Sequence, residues 1–464
     1  MEPLRIAEVV RAVKGQLVQG NPETVVTGIA TDSRSVQAGQ LFFAFPGSRV
    51  DGHSFVEDAL RSGASGAVIS KSVKAAADKP LVLVPDTFQA LRDLAQHYRS
   101  LFQIPVIAVT GSTGKTTTKD LIAGVLATRF SVLKTEGNQN NEIGVPLTIL
   151  RIEQPHNAVV LEMAMRGRGE IAELCRIARP QVGVITNIGK THLERLGTQA
   201  AVAEAKGELL AALPPGGCAV LNGQDPWQLT LARRFRGDII FYGVGKDFPV
   251  CALDIRLRGL EGTEFLLRTP RGENVCFLPL PGRHNVLNAL AAAAVGHRFG
   301  LTPGEISRGL ASAAGTRMRF EVKEGARGSK IIDDTYNASP ASVIAALQLL
   351  AGVPCRGRTI AVLGDMYELG WYTVQGHREV GRVAGELKLD CLCTVGELAR
   401  EIACGAREAG MDREKVKVFL DKMEALAFLR EFLEPGDLVL VKGSRALKME
   451  EIVAGLCDRV ISHG

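Results

Sequence analysis

Val106-Ile-Ala-Val-Thr-Gly-Ser-Thr-Gly-Lys-Thr-Thr-Thr118 joins an apolar, β-rich run to a turn with two glycines, and then to a helical pattern that begins near Lys115. Strand, glycine turn and helix in that order make an anion site. Gly111 and Gly114 let the backbone N–H groups around Ser112 and Thr113 converge on phosphate oxygens, and the helix start through Thr117 adds positive potential. Lys115 can reach the terminal phosphates of a nucleotide, and Thr116 can offer its hydroxyl to a magnesium ion. The pattern is G-x-x-G-K-T, shorter than the full G-x-x-x-x-G-K-T, because Val109 stands where the first glycine would be. An ordinary strand–turn–helix corner is the competing reading. The strand before and the helix after favour nucleotide phosphate.

Downstream of this stretch, strands and helices alternate. Ala158–Leu161, Val182–Thr186 and Ala219–Leu221 read as strands, with helices at Gly169–Arg176 and Gln199–Leu210 between them. That rhythm predicts a parallel sheet with helices on both faces. Residues 239–280 read as antiparallel strands, from the alternation in Glu264–Arg268 and Val275–Leu280. A second alternation runs from strand Lys330–Ile332 to strand Leu438–Val441 and predicts another doubly wound unit. Upstream lie short strands (Leu41–Phe45, Ala67–Ser70, Leu81–Val84), a short helix at Phe55–Ser62 and a longer one at about Thr87–Ser100. The expectation is an α/β chain of three domains: a mixed α/β N-terminal block over 1–102, a central phosphate-loop domain with a parallel sheet over 103–316, and a Rossmann-like C-terminal domain over 317–464. The 464 residues suit that number at roughly 150 per domain.

Apolar residues make up 46% and charged residues 23%, which excludes wholesale disorder and collagen-like repeats. The 55 basic and 50 acidic side chains leave +5 spread over the whole length, too dilute for a nucleic-acid binder. Nine cysteines, an odd number with no C-x-x-C pair, read as scattered thiols in a reducing compartment. Met1 to Arg5 lack the charged-then-apolar run of a signal peptide, and no stretch approaches the ~20 apolar residues that span a bilayer. A soluble cytoplasmic protein is expected, without membrane insertion.

Two further side chains stand where the sheet would place a ligand, and a third is singled out by nothing local. Glu162 follows the apolar strand that begins at Ala158, so it lies at the carboxyl edge, suited to a divalent cation. His192 opens at the same edge after the strand ending at Thr186, although a lone histidine is more often structural. Lys206, in a helical segment, reads on its own as a surface lysine.

Several separated stretches together resemble the Mur ligases, ATP-dependent amide-forming enzymes of peptidoglycan synthesis. They are the phosphate loop, Thr135-Glu-Gly-Asn-Gln-Asn-Asn-Glu-Ile-Gly-Val-Pro-Leu-Thr148, Leu161-Glu-Met163, Thr191-His-Leu-Glu194, Lys206-Gly-Glu208, Gly282-Arg-His-Asn-Val-Leu-Asn288 and Val441-Lys-Gly-Ser-Arg445. Asp333-Asp-Thr-Tyr-Asn-Ala-Ser-Pro340 and Gly364-Asp-Met-Tyr-Glu-Leu-Gly370 are similar to the family's last cytoplasmic member. The resemblance implies ATP and two Mg2+ ions, with UDP-N-acetylmuramoyl-tripeptide and D-alanyl-D-alanine as the partners joined, by a monomeric chain. It makes Lys115, His192, Lys206 and Arg319 the catalytic set. Thr116, Glu162, His192 and Lys206 become metal ligands, Lys206 as a carbamate. Asn285 and Asn288 are implied near the adenine, Arg319 at the phosphates and Asp334 near the ribose. Lys442, Ser444 and Arg445 would meet the acyl phosphate or second substrate, and Asn138 and Asn141 the muramoyl peptide. Thr31-Asp-Ser-Arg34, Leu41-Phe-Phe-Ala-Phe-Pro-Gly47 and Asp51-Gly-His53 resemble the family's UDP-binding domain, with Ser33 and Arg34 as donors to a diphosphate or uracil. A capped turn is the competing reading there. Two departures stand out: Ala164 where a glycine is usual, and the bulk of Trp371-Tyr372. The two-step chemistry implied, with an acyl phosphate to be shielded from water, predicts closure of the C-terminal domain onto the central one.

Overall fold

The computed structural model describes residues 1–47, 50–75, 78–312 and 318–457. The expected boundary at 316/317 therefore lies outside the described residues, as does Arg317.

Three larger sheets follow one another along the chain. The first has five strands in the order Gln16–Gln19, Leu81–Leu83, Gly66–Ile69, Gln40–Phe43, Gly28–Ala30. All its pairs are parallel except that of Gln16–Gln19 with Leu81–Leu83. Its last helix, Thr87–Ser100, is capped by Asp86, which accepts from the Phe88 and Gln89 amides. This helix packs on two helices of the central domain, Gly144–Ile149 and Glu170–Ala178. Tyr98 is fully buried there, donating to the Ile152 carbonyl at 2.6 Å, and Arg99 donates to the carbonyls of Ala178, Phe102 and Ile104. The apolar core runs without a break from Leu41 and Leu91 to Val106, Ile149 and Leu161, so the chain boundary near 102 is not a gap in packing.

The central sheet has nine strands. From one edge to the other they are Gly272–Leu278, Thr263–Thr269, Val250–Leu257, Asp238–Val244, Cys218–Asn222, Val182–Ile185, Val106–Thr110, Ala158–Glu162 and Val132–Lys134. Val106–Thr110 is buried at every residue, as a parallel strand covered on both faces must be. It pairs in parallel with Ala158–Glu162 on one side and Val182–Ile185 on the other. The sequence reading of 239–280 as antiparallel needs correction. Asp238–Val244 pairs in parallel with both its neighbours, and only the last three strands form an antiparallel meander. Alternation reports which faces are wet, not which way a strand runs. The helix Arg283–Arg298 lies buried along the phosphate-loop helix Lys115–Leu126. Its run Ala291–Ala294 lacks bulk, which permits that close approach.

The third sheet has the order Glu321–Glu324, Lys330–Asp333, Leu438–Lys442, Thr359–Gly364, Cys391–Val395, Val416–Phe419, and is parallel apart from its first pair. Its helices cover both faces, each with its own apolar cluster.

Candidate active site

The carboxyl edges of the central and C-terminal sheets face each other across a cleft of about 1530 Å³. On the central wall, the turn after Val106–Thr110 is shaped by two glycines in the positive-φ region, Gly111 at 152° and Gly114 at 76°. Gly114 caps the helix Lys115–Leu126. The first amide to bond back into it is that of Thr118, to the Gly114 carbonyl at 2.8 Å. The amides of Lys115, Thr116 and Thr117 thus have no partner inside the helix, and all three residues line the cleft.

The loop after Val182–Ile185 braces this turn. The Asn187 carbonyl accepts from the Ser112 amide and its side-chain oxygen from the Thr113 amide, each at 3.0 Å. Thr186 donates its hydroxyl to the Thr113 carbonyl at 2.6 Å. Asn187 carries no motif at the sequence level, and only the pairing of neighbouring strands brings it here.

Lys115 folds back onto the turn, donating to the Gly111 carbonyl at 2.9 Å. Burial, and to a lesser degree the nearby Arg319 charge, lower its pKa, while Glu162 opposes them. Glu162 is 1% exposed at the end of its strand. One carboxylate oxygen accepts from Asn140 at 2.8 Å, and the other is buried with no partner among the described residues. An orphaned buried carboxylate oxygen fits a cation ligand. Of the asparagine stretch, Asn138 and Asn141 line the cleft, and Asn141 also accepts from the Gly144 amide where the helix Gly144–Ile149 begins. The residue that touches Glu162 is Asn140.

Lys206 is buried on the helix Gln199–Ala211 and, among the described residues, forms no ion pair. Burial, then repulsion from Lys115, hold its pKa well below the ordinary 10.5. It does not line the cleft but lies within electrostatic reach of Lys115 beneath it. The surface-lysine reading therefore fails. Among the described residues, no three His, Cys, Asp or Glu side chains converge as a ready-made metal site. Thr116, Glu162 and His192 would need an added anion, which phosphate oxygens or a carbamate on a neutral Lys206 supply, so the donor set fits a hard cation completed by substrate.

Asn285 and Asn288 are buried at the start of their helix, where Asn288 accepts from Thr118 and donates to Asn285. They stand directly behind Gly114, where a Cβ would come 2.5 Å from the Asn288 oxygen. The C-terminal wall contributes Arg319, lying 4.1 Å over the Tyr336 ring, and Asp334, bonded to Lys442 at 2.6 Å. Burial raises the Asp334 pKa against the pull of Lys442. Lys442 also donates to the Asn337 carbonyl, Ser444 accepts from the Tyr367 amide, and Arg445 pairs with Glu450. Ser33 and Arg34 lie elsewhere, on a short turn of the N-terminal domain. There Asp32 accepts from Arg34 and is pulled down to about 2 by that contact.

The two walls touch. His192 Nδ1 lies 2.7 Å from Glu368, Trp371 donates its indole N–H to the Gly197 carbonyl at 2.7 Å, and Lys190 sits 4.2 Å over the buried Tyr372 ring.

Comparison with known proteins agrees along the whole length. Residues 25–99 match the "Mur ligase family, catalytic domain" model, 109–296 the "Mur ligase middle domain" and 318–445 the "Mur ligase, glutamate ligase domain". The chain is 40% identical to the UDP-N-acetylmuramoyl-tripeptide–D-alanyl-D-alanine ligase of Bacillus subtilis, covering 98% of this chain and 99% of that one. It is 34% identical to the enzyme of the same name from Escherichia coli, at 98% and 99% coverage. Among solved structures, MurF from Acinetobacter baumannii superposes with a TM-score of 0.90 at 34% identity, covering 99% of this chain and 100% of that one. MurF ligase from Thermotoga maritima in complex with ADP gives 0.80 at 31% identity, with coverage of 93% and 97%.

Proposed function

The chain belongs to the Mur ligase family, and we infer from that premise that it joins D-alanyl-D-alanine to UDP-N-acetylmuramoyl-tripeptide with ATP, forming ADP and phosphate in peptidoglycan precursor synthesis. The observation that carries this reading is the shared cleft. A phosphate-binding turn on one wall faces Arg319, Asp334 and Lys442 on the other, and relatives spanning the full length bear that activity in their names.

In the first step the terminal carboxylate of the tripeptide attacks the γ-phosphate, and the bond to ADP breaks. Lys115 and Arg319 offset the charge that gathers on the transferred group, while the amides of Lys115, Thr116 and Thr117 hold the polyphosphate tail. Thr116, Glu162, His192 and a Lys206 carbamate would hold two magnesium ions, which would supply further charge neutralisation. In the second step the dipeptide amine attacks the acyl phosphate, forming the amide and releasing phosphate. The facing walls exclude water during the interval between the two steps. Asn138 and Asn141 fit the peptide, Ser33 and Arg34 the UDP group, and Asn285 and Asn288 the nucleotide side of the cleft by bracing its phosphate turn. A cytoplasmic location follows from these substrates.

The test is a panel assay: ATP and the UDP-linked tripeptide, ending in lysine or diaminopimelate, with D-alanyl-D-alanine or single amino acids. ADP release with a product one dipeptide heavier is expected. Turnover only with a single amino acid would overturn the assignment.

A further inference from the structure

Gly364-Asp-Met-Tyr-Glu-Leu-Gly370 has a side chain that the mechanism above leaves unused. Glu368 reaches from the C-terminal domain to His192 in the central domain, 176 positions away in sequence, with Oε2 at 2.7 Å from Nδ1. Both residues occupy the left-handed region, His192 at φ 56° and Glu368 at φ 63°. Non-glycine residues adopt that region rarely, and the strain is sustained only where surroundings enforce it. Here the surroundings do. The Glu368 loop is anchored behind by the Tyr367 amide on Ser444 and by Asp365 accepting from the Ala399 amide at 2.7 Å. In front, Gly370 lies so close to the central domain that a Cβ would come 2.8 Å from the Glu194 Cα.

We propose that Glu368 is a positioning residue lent by the C-terminal domain to His192, fixing the imidazole for the divalent cation only when the two domains meet. A carboxylate can only accept, so Nδ1 is the donor in this contact, and Nε2 is the ring nitrogen left to face a cation. Partners of this kind orient a ligating imidazole and raise its basicity. Glu368 stands on the opposite side of the seam from His192, so the orientation forms on closure. By linkage, a cation that favours the oriented imidazole favours the closed arrangement by the same factor.

This inference rests on His192 as a cation ligand, and the experiment separates the two. The full chain is titrated with Mn2+ in the presence of a non-hydrolysable ATP analogue. Affinity is read by electron paramagnetic resonance and imidazole ligation by the nitrogen modulation of the spin echo. The wild type should show nitrogen coupling. Glu368→Ala should bind Mn2+ about tenfold or more weakly with diminished coupling. Glu368→Gln, whose amide oxygen still accepts from Nδ1, should recover part of both. Wild-type affinity and coupling in Glu368→Ala would overturn the role of Glu368 alone. Absence of nitrogen coupling in the wild type would overturn the ligand reading of His192, and this inference with it.

Discussion

Lys206 concentrates the chemistry of the site in one side chain. Buried and, among the described residues, without an acid to pair with, its amine is pushed toward the neutral form by desolvation and by the neighbouring Lys115. A neutral amine adds to carbon dioxide, losing a proton, and becomes the anion that a hard cation wants. Lys206→Ala should therefore lose ligation by about 10²-fold or more and recover part of it in added formate or acetate; full activity without rescue would remove the carbamate. Lys206→Met gives a separate readout. In buffer free of carbon dioxide, the wild type carries a stability deficit, because its folded pKa lies below the unfolded one. That deficit grows as pH falls from 10.5 toward the folded pKa and vanishes above 10.5. The methionine variant should thus melt a few degrees higher at neutral pH, roughly the response to 1 kcal/mol in a domain of this size, and match the wild type near pH 10.5. Lys115 has the plainer role: Lys115→Ala should keep the fold and lose ATP-dependent ligation by about 10³-fold, measured as ADP release.

At the scale of elements, the phosphate turn depends on a backbone that side chains resist. Gly114→Ala places a Cβ at φ 76° and 2.5 Å from the Asn288 oxygen that takes the Thr118 hydroxyl. Left-handed backbone alone costs about 1–2 kcal/mol for an L-residue. The variant should melt lower and bind an ATP analogue at least about tenfold more weakly, as calorimetry would show. This element was legible in the sequence because strand, glycines and helix are contiguous. The helix Thr87–Ser100 was legible for the same reason, having its own periodicity and a capping aspartate before it. Gln16–Gln19 was missed because it is short, half exposed and ends in a register shift. Asn140, Asn187 and Glu368 act on groups brought near by sheet pairing or domain contact, and no local pattern encodes that. His192 was placed at the sheet edge by its strand and raised above a structural histidine by resemblance, Lys206 by resemblance alone; their burial and partners belong to the fold.

At the scale of the molecule, the two seams differ in strength. Between the N-terminal and central domains lie Leu91, Leu94, Tyr98, Ile149 and Ile152, all buried. A fully buried side chain of that size contributes about 1.5–3 kcal/mol, so this seam stays shut. The seam to the C-terminal domain is made of smaller pieces: the buried Tyr372 ring under Lys190, the Phe320 ring beside His284, one indole hydrogen bond, the Glu194 amide on the Glu368 carbonyl, and a partly exposed ion pair worth about 0–1 kcal/mol. If the lobes part during turnover, as the two-step chemistry predicts, they should part there. Trp371-Tyr372, whose bulk stood out in the sequence, sits in this second seam. Nature has also left an emitter on it. The chain has two tryptophans, and Trp371 touches across the gap while remaining largely open to water. With Trp227→Phe as a silent background, a single indole reports each parting and rejoining of the lobes as a change in fluorescence, without any attached dye. A spectrum that stays constant on adding the nucleotide analogue would mean the lobes never part.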